Sequence, residues 1–183
     1  MESKEKRLIK NLSVCGAIFT IIFGSVSHFF YQWSNQNIVL GLFFPVNESV
    51  WEHMKMVFTP MIIFAFVDFY YLRKLVKNYC FALIKQIGVA IAFIIIIFYI
   101  YSPVAQDNIL AIDITSFIVG IFLAKYLGYK ILTGRFRRFE FKGINITFAF
   151  LLILATAFFV YATFDPPKLD LFLDKTTNIY GIN

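Results

Sequence analysis

The sequence is poor in charged residues and in the residue types that most often carry chemistry. Only 15% of its 183 residues are charged, whereas soluble domains average about 25%. It contains two histidines and two cysteines. Cys15 and Cys80 each lie near basic residues, so we expect both near the reducing side of a membrane, without a disulfide or a cysteine-metal site.

The motifs of common active sites are missing as well. The chain has no nucleophile elbow, phosphate loop, nucleotide-binding motif or H-E-x-x-H pair. It has no internal repeat and no low-complexity linker, which indicates a single domain over residues 1–183. The net charge of +6 is distributed between apolar segments instead of along one exposed face, so we do not expect nucleic acid as a partner.

Apolar residues are abundant instead. They make up 60% of the chain, with 24 phenylalanines and 10 tyrosines. We therefore expect the protein to be embedded in a lipid bilayer. A helix needs about 20 apolar residues to cross the hydrocarbon core. The chain has five stretches of that kind, at residues 12–33, 48–72, 81–101, 108–132 and 144–164. A tail at 165–183 follows the last of them. The sequence therefore predicts an all-α, polytopic membrane bundle of five transmembrane helices.

Lysine and arginine alternate between the connections. They are frequent at the N-terminus, between the second and third helices and between the fourth and fifth helices, but the connections at 34–47 and 102–107 contain none. Because basic loops stay in the cytoplasm, we expect the N-terminus inside the cell and the C-terminus outside.

Ionisable side chains inside apolar segments are the most informative residues, because each costs about 2.5–3.5 kcal/mol at a helix centre. His28, Glu52, His53 and Asp113 lie within about one helical turn of the same depth, near the outer ends of three helices. His28 and Asp113 also share helix faces with small residues, which permit close helix packing. We therefore expect these four side chains to converge in one outward-facing polar pocket.

The start of the second helix adds further candidates. We expect Asn47 to cap this helix and Glu48 to suit the positive end of its dipole. Glu52 and Lys55 are spaced to form a pair, and Glu52 rather than His53 is expected to face inward. Trp51 would flank the pocket as an interfacial anchor. The pocket candidates are thus His28, Asn47, Glu48, Trp51, Glu52, His53, Lys55 and Asp113.

We also have expectations for four other parts of the chain. The apolar stretch at 38–44 should lie along the outer interface or dip back onto the bundle, and the tail should fold over the pocket as a lid. The third helix, apolar all round at 94–97, should be peripheral and face lipid. Asp68 and Lys125, near the inner helix ends, should extend to the membrane surface and have no role in the site.

Three sequence segments resemble a family of small bacterial integral membrane proteins that is defined only as a domain of unknown function. They are P-V-N-E-S-V-W-E-H-M-K at 45–55, F-D-P-P at 164–167 and I-Y-G-I at 179–182. The resemblance extends over the whole chain. It implies a five-helix fold in the bacterial cytoplasmic membrane, and it implies no activity.

Three functions remain open. The first, which needs the fewest assumptions, is a non-catalytic protein whose pocket binds a small ligand, a lipid headgroup or a partner. The second is a membrane-embedded hydrolase in which a divalent metal is held by residues drawn from His28, Glu52, His53 and Asp113. The third is a proton-coupled transporter or an oligomeric channel. The sequence identifies no cofactor and leaves open both the oligomeric state and whether the protein is an enzyme.

Overall fold

The computed structural model describes residues 1–106, 108–134 and 143–182. Within them, five helices are long and apolar enough to cross a membrane, as predicted. The basic connection at 135–142 and the last residue, 183, lie outside the described residues. The eight helices in the described ranges are α1 Ser3–Ser27, α2 Phe30–Trp33, α3 Ile38–Gly41, α4 Val50–His53, α5 Lys55–Leu72, α6 Tyr79–Ala105, α7 Leu110–Thr133 and α8 Ile144–Phe164. The five long spans are α1, the nearly continuous α4–α5, α6, α7 and α8.

Two helix ends differ from the sequence prediction in ways that matter for the site. Helix α1 ends at Ser27, so His28 is its C-cap and lies outside the helix. The second span begins at Val50 because Ser49, not Asn47, is the N-cap: the Ser49 hydroxyl accepts a hydrogen bond from the Glu52 amide at 3.2 Å. The predicted Asn47 cap is therefore wrong, and Glu48 precedes the helix.

Helix α1 packs against both α5 and α7. Helix α6 lies along α7, contacts α5 and has α8 on another side. The small-residue face of α1 allows a close approach to α5: a Cβ atom on Gly24 would lie 2.4 Å from the Met56 carbonyl oxygen. The expectation that α6 is peripheral is wrong for its first half, where Ala82, Gln86 and Ala90 are buried, because this half packs against α7. Its second half contains exposed residues such as Ile96.

The connection after α1 dips back onto the bundle, as expected from its apolar residues. Gly41 and Phe44 are buried. Their segment is bonded to the second span, since the Lys55 ammonium donates to the Gly41 carbonyl at 2.9 Å and the Thr59 hydroxyl donates to the Phe43 carbonyl at 2.6 Å. The loop thus becomes part of the bundle.

The tail folds back over the helix ends. It forms a 3₁₀ turn at Asp170–Phe172 and a short hairpin, in which β1 Leu173–Asp174 pairs antiparallel with β2 Ile179–Tyr180. The Ile182 amide donates to the Thr163 carbonyl at the end of α8, at 2.8 Å. Phe172 is buried against α4. The tail therefore docks on the start of the second span and the end of the fifth.

Candidate functional site

His28, Glu48 and His53 form a cluster at the end of the bundle that carries the tail. The carboxylate of Glu48 lies between the two imidazoles, 3.6 Å from Nε2 of His28 and 3.5 Å from Nε2 of His53. The ring centroids are 5.1 Å apart. Among the described residues, these three offer ligand atoms that all lie within 4.8 Å of one another.

Three local features of the chain bring these side chains together. His28 ends α1, and the close helix contact at Gly24, one turn earlier, sets the distance between α1 and the second span. The backbone of Glu48 is not helical, because the helix begins only after Ser49. His53 closes the single turn of α4. The cluster therefore depends on the two helix ends that differ from the sequence prediction.

The ring of His53 has a defined tautomer. Its Nδ1 lies 2.9 Å from the carbonyl oxygen of Ser49, and a carbonyl can only accept, so Nδ1 carries the proton. In the neutral ring, Nε2 then keeps a lone pair that points toward Glu48 and His28. A backbone carbonyl in this position is the usual way in which a metal-binding histidine is oriented.

His28 is more enclosed than His53. Partial burial lowers the pKa of His28 below its ordinary value, the neighbouring His53 lowers it further, and the carboxylate of Glu48 acts in the opposite direction. Its Nδ1 is buried and has no hydrogen-bonding partner among the described residues. The side chains of His28, His53 and Glu48 are 24%, 33% and 43% exposed, so a small solute can reach the cluster.

Glu52 and Lys55 form a separate, buried pair. The Lys55 ammonium donates to Glu52 Oε2 at 2.7 Å, to the Thr163 hydroxyl at 2.7 Å and to the Gly41 carbonyl at 2.9 Å. The Val46 amide also donates to Glu52, at 3.0 Å. The predicted pair is confirmed. The expectation that Glu52 would join the histidines needs correction, because its carboxylate is committed to Lys55 and the re-entrant loop.

Asp113 also has a different partner from the one expected. Its carboxylate accepts a hydrogen bond from the hydroxyl of Tyr101, near the end of α6. The phenol of Tyr101 in turn accepts from the Ile109 amide at 3.2 Å. In the structure, Asp113 thus joins α6 to the start of α7, and His28 and His53 share Glu48 instead.

Trp51 and Asn47 contact the tail and the fifth helix. The indole of Trp51 stacks on Phe159 of α8 with ring centroids 4.5 Å apart, and it contacts Phe172 of the tail at 4.8 Å. It is therefore packed between protein elements and does not act as a plain interfacial anchor. The side-chain amide of Asn47 donates to the Gly181 carbonyl at 2.9 Å.

A second set of buried charges was missed by the sequence reasoning. Asp68 and Lys125 are buried, so the expectation that they extend to the membrane surface is wrong. Tyr79 donates to Asp68 at 3.1 Å, and the Lys125 ammonium lies 5.5 Å from the ring centroid of Phe64. The signal was present at Gly16 of α1, which makes room for Lys125: a Cβ there would lie 2.9 Å from its Nζ.

Glu48 was among the predicted pocket residues, but it was expected at the helix dipole and not among the metal ligands, although the sequence contained a signal for its position beside the histidines. Ser49 and Glu52 have the S-x-x-E spacing of a capping box, which marks Ser49 as the helix start. A start at Ser49 leaves Glu48 outside the helix and able to turn toward His53.

A family model described as "Family of unknown function (DUF6512)" matches residues 1–182, which confirms the resemblance to a family of unknown function. No curated protein and no solved structure matches the chain. Any proposal about activity must therefore come from the geometry of this chain.

Proposed function

We propose a metal-binding function for this chain, which belongs to the family of unknown function DUF6512. In this proposal it is a multi-pass membrane protein that binds one divalent transition-metal ion through His28, Glu48 and His53. The small ligand expected from the sequence is then a metal ion. The distribution of lysine and arginine supports a site on the outer face of the membrane.

The observation that carries the proposal is the spacing of the three ligand groups. Nε2 of His28 lies 3.6 Å from Oε1 of Glu48, and Nε2 of His53 lies 3.5 Å from Oε2 of the same carboxylate, both beyond the roughly 2.7–3.2 Å of an N–H···O hydrogen bond. One ligand atom from each of the three residues lies within 4.8 Å of the others. Metal bonds of about 2.0–2.2 Å at tetrahedral angles place neighbouring ligand atoms about 3.3–3.6 Å apart. The spacing thus suits a shared ion better than a shared proton.

The ligand types select the kind of metal. Two imidazoles and one carboxylate are a set that holds zinc in sites with an open fourth position. Magnesium and calcium prefer oxygen ligands. The partial exposure of all three side chains leaves the fourth position to water or to a ligand from the aqueous side. We therefore name Zn²⁺ as the probe, with Ni²⁺ and Cu²⁺ as chemically similar ions.

The test is metal binding by the full chain, purified in detergent without a polyhistidine tag. Equilibrium dialysis against Zn²⁺ should give one ion per chain. The variants His53→Ala and Glu48→Gln should weaken binding by at least the roughly 10- to 100-fold that loss of an outer-shell partner costs.

The matched control is Asp165→Asn, which removes an exposed carboxylate from the same end of the bundle and should bind Zn²⁺ like the wild type. Magnesium should not compete. No stoichiometric Zn²⁺ in the wild type, or equal affinity in Glu48→Gln and the wild type, would contradict the proposal.

A further inference from the structure

The tail makes a direct hydrogen bond to one of the proposed ligand residues. The backbone amide of Glu48 donates to Oδ2 of Asp174 at 3.3 Å. The preceding residue, Asn47, donates from its side chain to the carbonyl of Gly181 at 2.9 Å. The segment that carries Glu48 is thus held at two consecutive residues by a part of the chain more than a hundred positions away.

The same segment also orients the second histidine. The Ser49 amide donates to Oδ1 of Asn47 at 3.0 Å, and the Ser49 carbonyl fixes Nδ1 of His53 at 2.9 Å. Asn47, held by the tail, therefore holds the residue that sets the His53 ring. Two of the three proposed ligands depend on the position of residues 47–49.

Asp174 is held firmly enough to act as an anchor. Its other oxygen, Oδ1, accepts from the Thr176 hydroxyl at 2.6 Å and from the Thr176 amide at 2.8 Å. Its side chain is buried, and it pairs with Ile179 across the hairpin. One carboxylate oxygen thus shapes the turn of the hairpin, and the other reaches Glu48.

The docking of the tail is specific rather than a loose apolar contact. The end of the chain is bonded at Thr163 through the Ile182 amide. Gly181 has a φ of +70°, and a Cβ there would lie 2.8 Å from the Thr163 carbonyl oxygen. Phe172 fills the space beside Trp51. The tail therefore has one defined position, and this position places Asp174 under the Glu48 amide.

We propose that the hairpin at 173–182, the end of the tail, is part of the metal site, with Asp174 as a positioning residue for Glu48, and that docking of this hairpin and metal binding strengthen each other. This inference rests on the metal-binding function proposed above. The coupling is reciprocal: if the docked tail raises the affinity for the ion, the ion must stabilise the docked tail by the same factor.

The variant Asp174→Asn separates the two tasks of this carboxylate. Its side-chain oxygen can still accept the bonds of the hairpin turn, but the NH₂ group that replaces Oδ2 cannot accept from the Glu48 amide. We expect the variant to bind one Zn²⁺ with an affinity roughly 10- to 100-fold lower than the wild type. The matched control is again Asp165→Asn, an exposed carboxylate outside the hairpin that accepts from Tyr161 one turn earlier, and it should keep wild-type affinity.

Hydrogen exchange of the tail amides gives a second readout, measured in the wild type and in Asp174→Asn. In the wild type, saturating Zn²⁺ should slow exchange at Thr176 and Ile182, whose amides are bonded in the docked tail. In Asp174→Asn these amides should be protected without metal and should respond less to Zn²⁺. A merely structural Asp174 would give no effect of Zn²⁺ on tail exchange.

The outcomes separate the two proposals. Stoichiometric Zn²⁺ binding in the wild type, with unchanged affinity in Asp174→Asn or no effect of the ion on tail exchange, would overturn the role of the tail and leave the metal site standing. No Zn²⁺ binding in the wild type would overturn the metal-binding function itself, and the inference with it.

Discussion

The substitution Lys55→Met should destabilise the protein more than almost any other single change. Lys55 joins three elements, because its ammonium bonds to Glu52 at the start of the second span, to Gly41 in the re-entrant loop and to Thr163 in α8. Methionine retains the apolar stem and removes the charge. The carboxylate of Glu52, only 2% exposed, then keeps the Val46 amide as a donor and loses its counter-charge.

The magnitude follows from the number of contacts and their burial. Hydrogen bonds to charged groups contribute about 1.5–3 kcal/mol each, so three of them have a gross value of about 5–9 kcal/mol. Part of this is offset because the variant no longer desolvates an ammonium. Removal of one member of a buried ion pair typically costs about 3–5 kcal/mol, and we expect a loss of unfolding free energy in that range.

The double variant Glu52→Gln/Lys55→Met tests whether the loss comes from the unpaired charge. It removes both charges, so it should recover stability relative to the sum of the single variants by about 2 kcal/mol, within the range for coupled neighbours. The control Lys74→Met changes an exposed lysine and should stay within about 0.5 kcal/mol of the wild type. Reversible unfolding in mixed detergent micelles measures all five proteins: the wild type, Lys55→Met, Glu52→Gln, the double variant and Lys74→Met.

Two results would refute this reasoning. A loss below about 1 kcal/mol in Lys55→Met would show that the pair contributes as little as an exposed one. Single-variant losses that add to within about 0.5 kcal/mol in the double variant would show that Glu52 and Lys55 act independently.

Three further predictions follow from the packing and the charges. Gly24→Ala should destabilise the bundle by about 1–3 kcal/mol or more in thermal unfolding, because the new Cβ would meet the Met56 carbonyl. The control Gly88→Ala, with nothing within 4 Å of the new Cβ, should stabilise it by about 0.5–1 kcal/mol. Equal effects of the two substitutions would contradict the packing of α1 on α5. Lys125→Met should destabilise the protein by more than about 1 kcal/mol, because it removes the positive charge that acts on the buried carboxylate of Asp68. A neutral effect in the same assay would show that the two charges do not interact. A reporter that is active only in the cytoplasm should stay inactive when fused after the last residue, and full activity would reverse the proposed orientation.

The sequence predicted the elements whose cause is local. Five long apolar runs determine the five spans, because a bilayer-crossing helix has a required length and composition. The Glu52–Lys55 pair follows from helical spacing. The return of the loop at 38–44 onto the bundle follows from its apolar residues, which would be costly in water. Each of these depends on residues close together in the chain.

The composition of the site depends on contacts that the sequence does not display. Glu48 joins the histidines because the helix begins two residues later than expected, and that start is set by the competition between Asn47 and Ser49 for the cap. Asp113 is bonded to Tyr101, which lies on a different helix. Depth along a helix placed these residues in one layer, but it could not specify which neighbours their side chains would contact.

The most direct test of the central claim is X-ray absorption at the zinc edge on the purified, untagged protein loaded with one equivalent of Zn²⁺. An ion held by His28, Glu48 and His53 should give a shell of nitrogen and oxygen atoms at about 2.0–2.2 Å, with the outer-shell scattering of two imidazoles, one of which is lost in His53→Ala. A shell containing sulfur at about 2.3 Å would assign the ion to a cysteine. A spectrum without imidazole scattering would contradict the site formed by His28, Glu48 and His53.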